Sequence, residues 1–131
     1  ITSGGIAGIN SGFISDSYNQ AKMDANGSMR STTRSLYVGL IGGVSGSNEK
    51  QCQDSYNSGA ISQTLSGNTE GSAFGVIGVN TGTIQNVYFL SGTANNGIGT
   101  EVNAGDLTNL NITLSRAFLK SANYPKLFWE L

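Results

Sequence analysis

Gly5-Ile6-Ala7-Gly8-Ile9-Asn10-Ser11-Gly12-Phe13-Ile14-Ser15-Asp16-Ser17-Tyr18 is a phrase that recurs through this chain. It returns as Gly75-Val76-Ile77-Gly78-Val79-Asn80-Thr81-Gly82-Thr83-Ile84-Gln85-Asn86-Val87-Tyr88, and in both copies 13 positions separate the first Gly from the Tyr. A middle copy runs from Gly39-Leu40-Ile41-Gly42-Gly43-Val44-Ser45-Gly46 through Gln53-Asp54-Ser55-Tyr56. Counted from Gly39 to its Tyr it is four residues longer, and Ser45 reads as the replacement for the Asn of the other copies. Gly5 to Ile9 is too short for a helix and is broken by glycines. Asn10-Ser11-Gly12 reads as a turn, with Gly12, and Gly82 in the third copy, free to take a positive φ. Ile14-Ser15-Asp16-Ser17-Tyr18 alternates apolar and polar, as a half-buried strand does.

The Tyr anchors at 18, 56 and 88 lie 38 and 32 residues apart. Repeats of roughly 20 to 50 residues build solenoids, propellers or arrays. A propeller needs longer, hairpin-joined strands and usually more copies. Short stretches joined by tight corners suit a β-solenoid, in which no single turn buries its apolar side and stacking buries a continuous stripe. The expected fold is all-β, a right-handed parallel β-helix over residues 1–105, with motifs near 4–20, 39–59 and 75–92. The polar segments Gln20 to Leu36 and Ser62 to Ala73 read as a third side with protruding loops, such as Asn26-Gly27 and Ser66-Gly67-Asn68. After a Gly/Asn-rich exit from Thr93 to Gly105, residues 106–131 read as a capping helix and strand. Leu107, Leu110, Leu114, Phe118 and Leu119 fall at helical spacing, with Asn111 or Thr113 as N-cap. Tyr124-Pro125 ends that helix, and Lys126 to Leu131 reads as a strand holding the only Trp, Trp129. Such a segment would cover an open apolar end. The N-terminal end has no equivalent, so further chain or a partner is expected there.

Composition narrows the chemistry. Charged residues are 11% of the chain, against about a quarter in an average soluble protein, and the net charge is −1. Seven Lys and Arg form no basic stripe to meet a phosphate backbone, so nucleic acid is not an expected partner. No apolar run approaches the ~20 residues that span a bilayer, so no membrane insertion is expected. The single Cys52 excludes an internal disulfide framework and a cysteine-based zinc site. The absence of His removes the usual general base and metal ligand, and every Ser-His or Cys-His dyad. No cofactor and no metal are expected.

The phrase at 5–19 and its copy at 75–88 resemble the GLUG motif, roughly Gly-Gly-apolar-apolar-Gly-x-Asn-x-Gly-x-Ile followed shortly by Tyr. That motif occurs in large bacterial surface proteins, including filamentous-haemagglutinin-like adhesins, and in non-catalytic regions of secreted IgA-specific metallopeptidases. The closing Tyr124-Pro125-Lys126-Leu127-Phe128-Trp129 is similar to the Tyr-Pro-x-Leu-x-Trp ending seen after such repeats. The resemblance implies a parallel β-helix on a bacterial surface or in a secreted protein. It implies no catalytic residues.

Several side chains are candidates for a role. Aligned backward from the Tyr, Cys52 falls where the other copies have Ile14 and Ile84, which points to a buried thiol packed as a small hydrophobe. Asn10 and Asn80 share a corner and read as a backbone-capping amide ladder. Tyr18, Tyr56 and Tyr88 should stack in register. Their large area favours burial in a thin core, and exposed they would form a platform for sugar rings. Asp16 and Asp54, with Asn86 third, read as a surface polar ladder. Stacked carboxylates could also hold a hard cation or work on polysaccharide. The expected function is a non-enzymatic structural and adhesive module. It would be joined to the rest of a larger surface protein or to itself through the N-terminal edge, and would meet host or cell-surface glycans or proteins. The competitors are a carbohydrate-binding domain or carbohydrate-active enzyme, a self-assembling fibre subunit, and an ice-binding solenoid. The last needs a regular Thr face, which Thr32-Thr33, Thr81 and Thr83 do not supply.

Overall fold

The computed structural model describes residues 2–29, 37–67, 69–93 and 98–131. Four short strands follow one another: β1 (Thr2–Gly4), β2 (Ala7–Asn10), β3 (Phe13–Asn19) and β4 (Met23–Met29). The series repeats as β5 (Tyr37–Gly42), β6 (Ser45–Asn48), β7 (Gln51–Asn57) and β8 (Ile61–Gly67), and then as β9 (Thr69–Phe74), β10 (Ile77–Asn80) and β11 (Thr83–Leu90). Each strand pairs in parallel with its counterpart one series later, giving the sheets β1-β5-β9, β2-β6-β10, β3-β7-β11 and β4-β8. A short β12 (Thr100–Val102) extends the third sheet beyond β11. The chain is therefore mostly β, consistent with the all-β expectation, and the strands of successive series pair in parallel. Each series of strands forms one tier.

The pairing corrects the reading of the middle copy. Ala7 faces Ser45, and Ser45 faces Ile77, while Asn10, Asn48 and Asn80 share one register position. The middle phrase therefore begins at Gly43, not Gly39. Counted from there, 13 positions again separate Gly from Tyr, nothing is inserted, and the corner Asn is Asn48 rather than a missing residue at Ser45. Gly43 explains why a glycine opens the phrase. A Cβ there would lie 2.2 Å from Asn57 Cγ and 2.4 Å from the Gly75 carbonyl, so only a hydrogen fits between tiers.

A second correction concerns the corners. Neither Gly12 nor Gly82 takes a positive φ, and Lys50 stands at their register position in the middle tier. Among the described residues, the non-glycine residues with a left-handed backbone are instead Asp16, Asp54 and Asn86, at φ 50, 47 and 51. Asp and Asn visit this region more readily than other side-chain-bearing residues because their short polar side chains bond locally. The ladder pauses at this position in each tier, pairing 15 with 53 and then 17 with 55. The left-handed residue advances the inside–outside alternation by one step, as an extra residue does in a β-bulge. Ile14 and Cys52 thus join one core with Val44, Val76, Val87 and Phe89, between the sheets. The Tyr residues, expected on the same face as Ile14, point to the other side and join a separate apolar cluster.

Two further expectations change. Asn26-Gly27 and Ser66-Gly67 are not loops; they lie within β4 and β8, paired Asn26 to Thr64 and Ser28 to Ser66. Asn68, Thr32 and Thr33 lie outside the described residues. The C-terminal helix is shorter and earlier than expected. It is α1 (Ala104–Thr108), capped by Asn103, whose side chain accepts from the Asp106 N–H at 2.8 Å. Neither Asn111 nor Thr113 is an N-cap: Asn111 lies in the 3-10 turn Leu110–Ile112, and Thr113 closes the C-terminal end of that turn, its N–H and hydroxyl both donating to the Leu110 carbonyl. The chain then forms a small antiparallel pair, β13 (Phe118–Leu119) with β14 (Lys126–Leu127). The final strand therefore stops at Leu127, and Phe128–Glu130 is a 3-10 turn. Leu107, Leu110, Leu114 and Phe118 are buried as their spacing suggested, but Leu119 and Trp129 are exposed.

Candidate functional site

The site grows out of the Tyr column. In-register parallel strands place equivalent residues about 4.8 Å apart. Tyr18 and Tyr56 accordingly stack with ring centroids 5.1 Å apart and planes 9° from parallel. Tyr56 is fully buried and donates its hydroxyl to the Pro125 carbonyl. Tyr88 is half-buried at the far end of the column. The C-terminal segment lies along this column, with the Phe118 ring 5.9 Å from Tyr56 and 6.3 Å from Tyr18. It crosses from the third tier back to the first, where Ser115 Oγ donates to Asp16 and Tyr18 Oη donates to Glu130 at 2.6 Å. The segment thus covers a side face of the tiers.

Where it reaches the first tier it leaves a shallow groove of about 520 Å³, whose lining includes Ile6, Asp16, Tyr18, Gln20, Trp129 and Glu130. Three residues singled out in the sequence, Asp16, Tyr18 and Trp129, meet here. Tyr56, Tyr88 and Asp54 are not in it. Trp129 is 62% exposed and stands edge-on to Phe128, with centroids 4.9 Å apart. It was expected to serve the structure; its ring instead faces solvent at the rim. Glu130 and Gln20 carried no sequence signal, since nothing local tells that residue 130 returns to residue 18.

The groove is acidic on one wall. The Glu130 carboxyl is held below the usual carboxylate range, chiefly by the Tyr18 hydroxyl and further by the Leu127 N–H at 2.8 Å. Burial and the bond to Glu130 together push the Tyr18 hydroxyl up. Tyr56 is pushed up as well, mainly by its burial. Asp54 accepts a bond from the Asn86 amide at 3.2 Å, so the acid column ends in an amide. Among the described residues, no three Asp, Glu or Cys side chains come together as metal ligands.

Two amide ladders run through the tiers. Asn10 Nδ2 donates to Asn48 Oδ1 at 2.7 Å, and Asn48 Nδ2 donates to Asn80 Oδ1 at 2.7 Å. A second ladder, not anticipated, links Asn19 Nδ2 to Asn57 Oδ1 at 2.8 Å. Its signal was present in the sequence as the Asn that closes Asp-Ser-Tyr-Asn in two copies. In the third tier Phe89 takes that position and ends the ladder. Cys52 is fully buried, between Ile14 and Ile84 in the register. Burial pushes its thiol up to about 11, so it is no nucleophile at neutral pH.

Compared with family models, curated proteins and solved structures, the chain matches none of them. No helix among the described residues is long and apolar enough to cross a membrane.

Proposed function

We propose that this chain is a non-catalytic structural and adhesive module of a bacterial surface or secreted protein. In this reading the tiers wind as a right-handed parallel β-helix of GLUG-like repeats, and the groove beside Trp129 is where it meets a glycan. The observation that carries the structural part is the tier-on-tier register: backbone ladders and two side-chain amide ladders run in the same direction through successive repeats. Such stacking gives stiffness along one axis and leaves side faces free to carry contacts.

The exposed indole of Trp129, next to the carboxylates of Asp16 and Glu130 and the amide of Gln20, has the parts that hold a sugar ring: an apolar face and acceptors at its edge. The same parts argue against hydrolysis. A glycosidase acid needs a raised pKa, whereas Glu130 is held low by the Tyr18 hydroxyl. Binding on a glycan array with wild type and Trp129→Ala tests the reading. Binding that is lost in the variant supports it. Release of reducing ends or unsaturated products from any bound polysaccharide overturns it, as does binding untouched by the substitution.

A further inference from the structure

The first-tier edge exposes positions that the inner tiers bury. Ile6, Val44 and Val76 share one register position, and their exposures are 47%, 0% and 0%. Ile9 and Phe13 on the same edge are also exposed. An open sheet edge is by itself only a hazard. Here the two Asn ladders add direction to it.

Backbone groups fix how each amide points. Asn19 Oδ1 accepts from the Ala21 N–H and its Nδ2 donates to the Ala21 carbonyl, and Asn57 makes the same two contacts with Gly59. Asn10 Oδ1 accepts from the Gly12 N–H, while its Nδ2 donates to the Gln51 carbonyl. Flipping any of these amides would set donor against donor and acceptor against acceptor. Both ladders therefore run donor to acceptor from the first tier toward the third. Inside the stack Asn57 Oδ1 takes two donors, Asn19 Nδ2 and the Gly59 N–H. At the edge Asn19 Oδ1 takes one among the described residues. Asn10 and Asn19 are buried, at 5% and 9% exposure, and among the described residues each amide oxygen accepts one bond, which leaves its second lone pair for a further donor.

We propose that the edge formed by β2 and β3 docks one further tier of the same repeat chemistry. The occupant is an extended segment with two Asn nine positions apart, laid parallel and in register, as Asn48 and Asn57 are. Its amides donate to Asn10 and Asn19. A second copy of this chain is excluded in either orientation. Edge to edge, acceptor would meet acceptor at both positions. Edge to tail, the third tier offers Asn80 but has Phe89 in place of the second donor, and β12 already occupies the outer edge of β11. This goes beyond the glycan reading; because Ile6 and Asn19 also line the groove, a docked tier covers that side of it and competes with a sugar there.

The test is titration of isotope-labelled chain with a synthetic peptide of residues 43–57 carrying Cys52→Ser. Saturable amide shifts confined to residues 6–19 are expected. A spin label on the peptide's N-terminus should broaden residues near Ala7, and one on its C-terminus residues near Asn19. A peptide with Leu at both Asn positions should bind about tenfold more weakly or worse, since each lost donor leaves a buried acceptor short. Reversed broadening, equal binding by the Leu peptide, or no saturable shift at millimolar peptide overturns the proposal. So does concentration-dependent dimerisation of the chain that protects residues 7–19 from exchange.

Discussion

At Asp16, Asp54 and Asn86 one backbone angle decides which face each Tyr occupies. A β-branched side chain in the left-handed region costs about 1–3 kcal/mol, while Asn is tolerated there. Asp54→Val should therefore destabilise the chain by about 1–3 kcal/mol, and Asp54→Asn by well under 1 kcal/mol, in urea unfolding. Equal losses would mean that the bond from Asn86, not the angle, is what matters. The amide columns make a sharper case. Asn57 is fully buried and serves Asn19, Gly59 and the contact with Gly43. Asn57→Ala leaves the Gly59 N–H and carbonyl without their partner and should cost about 2–3 kcal/mol. Asn80→Ala, at a half-exposed end of its ladder, should cost less than half as much. A reversed ranking in equilibrium unfolding would show that burial does not set the worth of these amides.

At the scale of elements, the C-terminal segment acts as a cover for the aromatic column. Phe118 is 2% exposed and packs against both Tyr18 and Tyr56. Phe118→Ala should cost about 3–5 kcal/mol by the cavity it leaves. Binding of a hydrophobic dye should appear as the segment lifts from the tiers. If far-ultraviolet dichroism is retained while the dye binds, the tiers stand without their cover. This element also shows where sequence reading reaches its limit. The repeat was legible because glycines and Tyr recur at fixed spacing. In the middle copy Gly39-Leu40-Ile41-Gly42 outweighs Gly43-Val44-Ser45-Gly46 because it is more apolar, although the constant distance to Tyr points to the second. The reversal of faces at Asp16 left no trace, since an acidic residue fits a polar slot in either alternation. The buried set Leu107, Leu110, Leu114 and Phe118 was legible, but not its partner. Helical spacing says which side chains are hidden, not which surface hides them, and so the groove between residue 18 and residue 130 was out of reach.

At the scale of the whole molecule, few charges carry the fold. The ion pair of Lys22 and Asp24, at 3.3 Å, is exposed and contributes little. Stability should therefore be nearly independent of salt and flat across neutral pH. The alkaline side is different, because Cys52, Tyr18 and Tyr56 all hold their protons more tightly when folded. Their contribution is fully present below the ordinary values of about 8.5 for a thiol and 10 for a phenol. Above these the unfolded chain sheds protons that the folded chain keeps, so stability falls as pH rises through the folded values. The thiol acts first. With its folded value at about 11, Cys52 alone should remove about 2–3 kcal/mol between pH ~9 and ~11. The phenols add to the slope above pH ~10, and Tyr56, sealed beneath Pro125 and Phe118, should ionise only as the chain unfolds. Glu130 works in the opposite sense: its lowered value stabilises above the ordinary carboxylate range and is lost on acidification, weakly because it is exposed. Urea midpoints of wild type and Cys52→Val across pH 7 to about 10.5 separate the parts. The variant should stay level past pH ~9 and fall only where Tyr begins to titrate. Parallel curves would place the thiol in contact with solvent, and with it the inner face of β7.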